Sequence, residues 1–306
     1  MFAWVKKFEK KVEASAKRHK SVAWCLTIYK IIDKTVRSFL RARALEGSAS
    51  IAFYAFFSLF PTLLFIIAIL SFFLKPAEVN VEVFKLVKDF FPISQEDILP
   101  LIEGTINTVV DRRSSMSIIA VVGLLWSGSN VFTVVVRNLN RAWGSKSAPL
   151  HFIKARLIAI VIIAALAGFI TLSLLINPIV ELLANYEIGT VAMYQTSFWW
   201  AFTLSLPHFF SLLFFFALYY WVPATNVHWI EAAIGAVLSN FAWQTSIWGL
   251  TWLITEGVIN YQLVYGSLTT IVLIMAWIYI SNLILLFGAH LSVSVAQYRR
   301  HLPDLT

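Results

Sequence analysis

The hydrophobic positions of this chain fall into long, nearly unbroken runs. Six of them lie at roughly 49–74, 117–137, 153–177, 198–221, 230–254 and 263–296. Each reaches the about 20 apolar residues that a helix needs to cross a bilayer. None shows the period-two alternation of a barrel strand, so the pattern predicts six membrane-spanning α-helices. The last run exceeds one crossing and is expected to continue as helix beyond the membrane. The predicted architecture is an all-α, polytopic six-helix bundle over 47–298, with a short tail at 299–306.

Two flanking segments carry helical spacing of another kind. In the loop 75–113, Ile98, Ile102, Ile106 and Val109 recur on one face, with Glu103 and Asp111 off it. Short helices at the outer surface are expected there, either capping a cavity or covering helix ends. In residues 1–46, Trp24, Ile28, Ile31, Ile32, Val36 and Phe39 fall on one side of a helical wheel and Lys30, Lys34, Arg37 and Arg41 on the other. That is a basic amphipathic helix. It either lies on an anionic membrane surface or packs beneath the bundle.

Composition sharpens this picture. Of 306 residues, 59% are hydrophobic and 13% charged, against about 25% charged in soluble domains. From Leu157 through Tyr298 there is no Lys or Arg, as expected where each cation in hydrocarbon costs about 2.5–3.5 kcal/mol. Twelve Lys/Arg precede the first span. The 75–113 loop has five against seven acids, and 137–156 has five and no acid. The loops 177–197, 222–229 and 255–262 have none, and the tail has Arg299 and Arg300. The positive-inside rule therefore places both termini in the cytoplasm. The single cysteine, Cys25, excludes an intrachain disulfide and a Cys-based zinc site.

The candidate chemistry is polar side chains in apolar surroundings. Pro61, with Ser58 close by, and Pro207, beside His208, are expected to kink the first and fourth spans. Ser58 is placed to bond a carbonyl that the proline frees. Ala164 with Gly168, Gly235 with Ser239, and Gly288 with Ser292 have the spacing of close helix contacts. Asn130, Asn240, Gln244, Asn282 and His290 sit in or near spans and each needs a partner. They are either interhelical ties or the lining of a polar cavity. Glu181, Glu187, Glu231 and Glu256, at span ends, read as solvated loop charges.

The second span ends in "VVVRNLNRAWG", residues 134–144. Arg137 and Arg141 share a helix face, Asn140 lies beside them and Asn138 points away. The arginines either anchor the span or bind anionic head groups, since guanidinium pairs bidentately with phosphate. No nucleotide loop, hydrolase elbow or clustered His/Asp set appears, so no enzyme activity, cofactor, metal or nucleic-acid partner is expected.

Several stretches resemble the YihY/BrkB family of bacterial membrane proteins: "ASIAFYAFFSLFPTLL", "NLNRAWGSK", "WVPATNVHWIEAAIGA" and the segment from Tyr261 to Arg300. Ser58, Pro61, Asn140, Pro223, Gly235, Tyr265, Gly266 and Gly288 match its pattern, and Tyr265-Gly266-Ser267 is its tight turn. The family usually reads Gly-Ala-Glu where this chain reads Gly288-Ala289-His290, and its pattern does not call for Arg137. The resemblance implies a six-helix inner-membrane protein. The family has carried the labels ribonuclease BN and virulence factor, and is suspected of moving lipids or other amphiphiles. The expected function is transport of a lipid or amphipathic anion without an ATPase of its own. The expected partners are anionic membrane lipids, with assembly into a homo-oligomer left open. A membrane scaffold or envelope-assembly factor is the alternative, and a nuclease the third reading.

Overall fold

The computed structural model describes residues 20–73, 81, 113–144, 197–255 and 269–300. All regular structure among them is helical: α1 (Lys20–Arg41), α2 (Ala44–Phe73), α3 (Arg113–Ala142), α4 (Ser197–Trp221), α5 (Trp229–Thr255) and α6 (Thr269–Arg300). Helices α2 to α6 coincide with five of the six expected spans. The third, 153–177, lies outside the described residues, as do most of the 75–113 segment and the Ala164/Gly168 pair.

By length and composition, Ala44–Phe65 and Ile271–Arg300 are apolar enough to cross a membrane. Only 17% of the first of these windows is buried in the fold, so it is not the core helix of a water-soluble protein. Phe53, Tyr54, Phe57 and Phe60 stand exposed along it, which suits contact with lipid.

Pro61 does not end α2, which runs unbroken to Phe73. The missing N–H leaves the carbonyl of Phe57 without its helical donor. Neighbouring carbonyls gain side-chain donors instead: Ser58 Oγ donates to Ala55 O at 2.7 Å and Thr62 Oγ1 to Ser58 O at 2.6 Å. Ser58 thus serves the carbonyl two residues before the freed one. Gly123 of α3 lies against the proline, and a β-carbon there would be 3.3 Å from Pro61 Cβ. Pro61 is therefore part of the α2–α3 contact.

The bundle core is built where α2, α3, α4, α5 and α6 converge, around Ile51, Leu139, Tyr219, Ala236, Leu286 and Ala289. Contacts at one end fix how the helices alternate. Gly47, near the start of α2, meets Asn138 near the end of α3 and Leu286 of α6. The backbone N–H of Ala224, after α4, bonds Asn140. Arg299, at the end of α6, meets Glu231 in the first turn of α5. So α3, α4 and α6 end where α2 and α5 begin. Arg41, Arg43, Arg137, Arg141, Arg299 and Arg300 collect at this basic end.

Helix α1 turns into α2 through Ala42 and Arg43, the latter with a left-handed φ of 52°. It runs antiparallel along the C-terminal part of α6. Phe39 packs edge-on to Phe287 and to His290, Ser38 Oγ is 2.9 Å from His290 Nδ1, and Thr27 Oγ1 is 3.1 Å from Tyr298 OH. The apolar side expected from sequence is divided by this packing. Phe39 is buried, and Ile31 is half-buried beside the buried Thr35; Ile28, Ile32 and Val36 stay exposed together with Tyr29 and Leu40.

Candidate functional site

Arg137 and Arg141 sit one turn apart on the exposed side of α3. The opposite side is committed to the core through Val135, Asn138 and Leu139, all buried. Asn138 donates its amide to Val134 O at 2.8 Å, and its Oδ1 leaves no room for a β-carbon on Gly47. Asn140 is held differently: its Oδ1 accepts the backbone N–H of Ala224 at 2.7 Å. The helix then closes with a left-handed Gly144 (φ 63°), whose N–H bonds Arg141 O at 3.1 Å. The run therefore ends in two asparagines that tie helices and loops together and two arginines that face outward. No carboxylate partner for either arginine is found among the described residues.

The Asn140–Ala224 bond docks "NLNRAWG" on "WVPATNVHW". On either side of it, the indole N–H of Trp143 and the hydroxyl of Thr225 are buried without a hydrogen-bond partner among the described residues. Leaving a buried donor unmade costs about 1–3 kcal/mol, so this junction carries a local penalty.

Next along the chain, α5 begins with a reciprocal cap. His228 Nδ1 accepts Ile230 N–H at 3.4 Å, and Glu231 Oε2 accepts His228 N–H at 3.2 Å. This is a capping box with histidine in place of serine or threonine. Arg299 Nη1 reaches His228 Nδ1 at 3.3 Å and Glu231 Oε1 at 3.9 Å. Glu231 is 4% exposed. The expectation of a solvated loop charge is corrected here. The cap turns the carboxylate toward α6, where Arg299 compensates it.

Three of the polar residues expected within spans, Asn240, Gln244 and His290, bond across helix contacts. Ser211 Oγ of α4 donates to Asn240 Oδ1 of α5, and Gln244 Nε2 reaches the same hydroxyl at 3.5 Å. Asn282 is buried and donates to Ile278 O at 2.8 Å. His290 is buried between Ser38 and Phe39 of α1. Pro207 lies within α4 and His208 is exposed. Tyr265, Gly266 and Ser267 lie outside the described residues.

The densest node was not anticipated. Tyr219, fully buried, donates to Leu285 O at 2.8 Å and lies 2.8 Å from Ser239 Oγ. It fills the crossing of the two small-residue pairs, where Gly235 meets Ser292 and Gly288 meets Ser239. Its sequence signal was only a tyrosine at the end of an aromatic run. Ser38, Ser211 and Thr225 carried none, and Trp143 read only as an indole at interfacial depth. No group of three or more His, Cys, Asp or Glu side chains that could hold a metal occurs among the described residues.

Two helices long and apolar enough to cross a membrane, the first largely unburied, polar side chains bonded across helix contacts and a basic end define a helical integral membrane protein. Within that class the chain belongs to the virulence factor BrkB family, which it matches over residues 35–305. It is similar to the ribonuclease-like protein YfkH of Bacillus subtilis, 26% identical over 260 residues, 84% of this chain and 91% of that one. A UPF0761 membrane protein of Pseudoalteromonas atlantica is 27% identical over 253 residues, 80% of this chain and 79% of the relative. One from Vibrio cholerae is 35% identical over 99 residues, about a third of each. No solved structure matches the chain significantly.

Proposed function

We propose that this protein is a transporter of an anionic lipid or amphipathic anion in the bacterial cytoplasmic membrane, without an ATPase of its own and with its basic end inside. One observation carries the reading: Arg137 and Arg141 stand one turn apart and exposed, with no acid to neutralise them among the described residues. Asn140 Oδ1 already accepts the Ala224 N–H, and its amide NH2 is the neutral donor beside them. Two guanidinium forks at that spacing suit a phosphate or carboxylate head group, which they can grip bidentately.

The test is anionic-lipid binding, and transport in reconstituted vesicles, for Arg137→Lys, Arg141→Lys and the matching alanine variants. Head-group recognition predicts that lysine weakens both while insertion and expression persist. Unchanged function in the lysine variants, with loss only in alanine, would leave the arginines as topological anchors.

A second reading, a membrane scaffold, is favoured by a separate observation. Asn240, Gln244 and His290 each bond across a helix contact. Vesicles in which the wild-type protein moves no anionic amphiphile would favour it. The nuclease suggested by the relative's name predicts metal-dependent RNA cleavage that one point mutation abolishes.

A further inference from the structure

Helices α4 and α5 do not close fully along one edge. Phe209, Leu213 and Phe216 of α4 and Ala233, Ala236 and Val237 of α5 line an open groove of about 160 Å³ with no polar atom in its wall. It exists because α5 presents alanines where α4 presents phenylalanines, so large side chains on one helix meet no bulk on the other. Phe209, Leu213 and Val237 remain exposed at its rim.

The groove has a polarity along its length. On α4 the line through Phe209, Leu213 and Phe216 continues at helical spacing to Tyr220, which stacks on Phe216 with centroids 5.6 Å apart. On α5 the line through Val237 and Ala233 continues back to Trp229. Tyr220 and Trp229 are both exposed, and both lie at the basic end, where α4 stops and α5 starts. Tyrosine and tryptophan favour head-group depth in a bilayer, with an apolar ring body and a polar tip. Away from that end the α5 line passes to Asn240, already bonded to Ser211, so the dry part of the groove is bounded.

We infer that this groove seats a segment of one phospholipid acyl chain from the leaflet at the basic end, with the polar part of that lipid between Tyr220 and Trp229. An apolar cavity of about 150 Å³ accepts a benzene-sized guest, so the fit is to part of a single chain. The rim side chains Phe209, Leu213 and Val237 are exposed, so in a membrane-embedded bundle the groove is open to lipid. The inference rests on the amphiphile reading above but concerns the tail, whereas Arg137 and Arg141 concern the head group.

The test uses the full chain in vesicles of phosphatidylethanolamine and phosphatidylglycerol. A photoreactive benzoylphenylalanine replaces Val237, or Val122 of α3 as a control of similar exposure, 57% against 62%. The expected result is lipid adducts at Val237 several-fold above those at Val122. Ala236→Phe, which fills the groove, should bring the Val237 adducts down to the control level. Ala236 is fully buried, so Ala233→Leu, at a half-buried site, is the second filling variant and should act in the same direction. Equal labelling at the two positions, labelling unaffected by either filling variant, or cross-links to a second copy of the chain would each overturn the inference. Arg137→Lys should leave the Val237 adducts intact, so loss of head-group recognition and loss of the groove are read separately.

Discussion

Gly235 and Gly288 face each other across the α5–α6 crossing. A β-carbon on the first would stand 2.7 Å from the carbonyl oxygen of the second, and one on the second 3.1 Å from the carbonyl oxygen of the first. Backbone presses on backbone here, and the hydroxyls of Ser239, Ser292 and Tyr219 fill the remaining space. Gly288→Ala should therefore destabilise the bundle by about 1–3 kcal/mol through overpacking. Thermal unfolding in detergent measures it. Gly249, with nothing within 4 Å of its would-be β-carbon, is the control, and Gly249→Ala should be neutral or stabilising. Equal behaviour of the two variants would remove the close crossing.

Arg299 and Glu231 give a second expectation. Arg299→Ala leaves a buried carboxylate without its cation. The cost should be about 1–3 kcal/mol, below that of a fully buried pair because the Arg299 side chain is 40% exposed. Adding Glu231→Gln should recover much of the loss, since the stranded charge is gone. A double variant no more stable than Arg299→Ala alone would show that the charge pairing is immaterial.

Thr225 should behave in the opposite way to most buried positions. Its hydroxyl is buried with no hydrogen-bond partner among the described residues, and valine has nearly the same shape without the polar atom. Thr225→Val is expected to raise stability by up to about 1 kcal/mol. A loss of stability would mean that the hydroxyl has a partner.

The side of the membrane is open to direct measurement. In a Cys25→Ala background, Thr306→Cys should be labelled by an impermeant thiol reagent only after the inner membrane is opened. Labelling from outside in intact cells would invert the topology.

Much of the bundle was legible in the sequence because membrane helices announce themselves by the length of their apolar runs. The start of α2 was not. The spans begin for hydropathy at about residue 49, but the helix begins at Ala44, because Gly47 and Ser48 pack into the core instead of fraying into a loop. The Gly235/Ser239 and Gly288/Ser292 spacing was readable as close packing. That the two pairs meet each other was not, since spacing marks a face and leaves its partner unnamed. The same limit explains Glu231: a carboxylate near a helix start looks solvated until the distant Arg299 is brought to it. Helix α1 was legible as a helix that either lies on the membrane or packs beneath the bundle, and it packs on α6, but its packed side was not. A wheel divides a helix into apolar and polar halves, whereas Thr27, Thr35 and Ser38 make part of its packed side polar.

The pairing of α1 with α6 also sets an order of events during synthesis. Ser38 and His290 are 252 residues apart in the chain, and Thr27 and Tyr298 are 271 apart. At about 5–20 residues per second, the ribosome takes roughly tens of seconds to deliver the partner of a helix it made at the outset. Through that interval α1 exists without the surface on which Phe39 is buried. The contact between α1 and α6 can therefore form only after α6 has been made. A nascent chain arrested before α6 should hold α1 open to protease, and release of the arrest should close it.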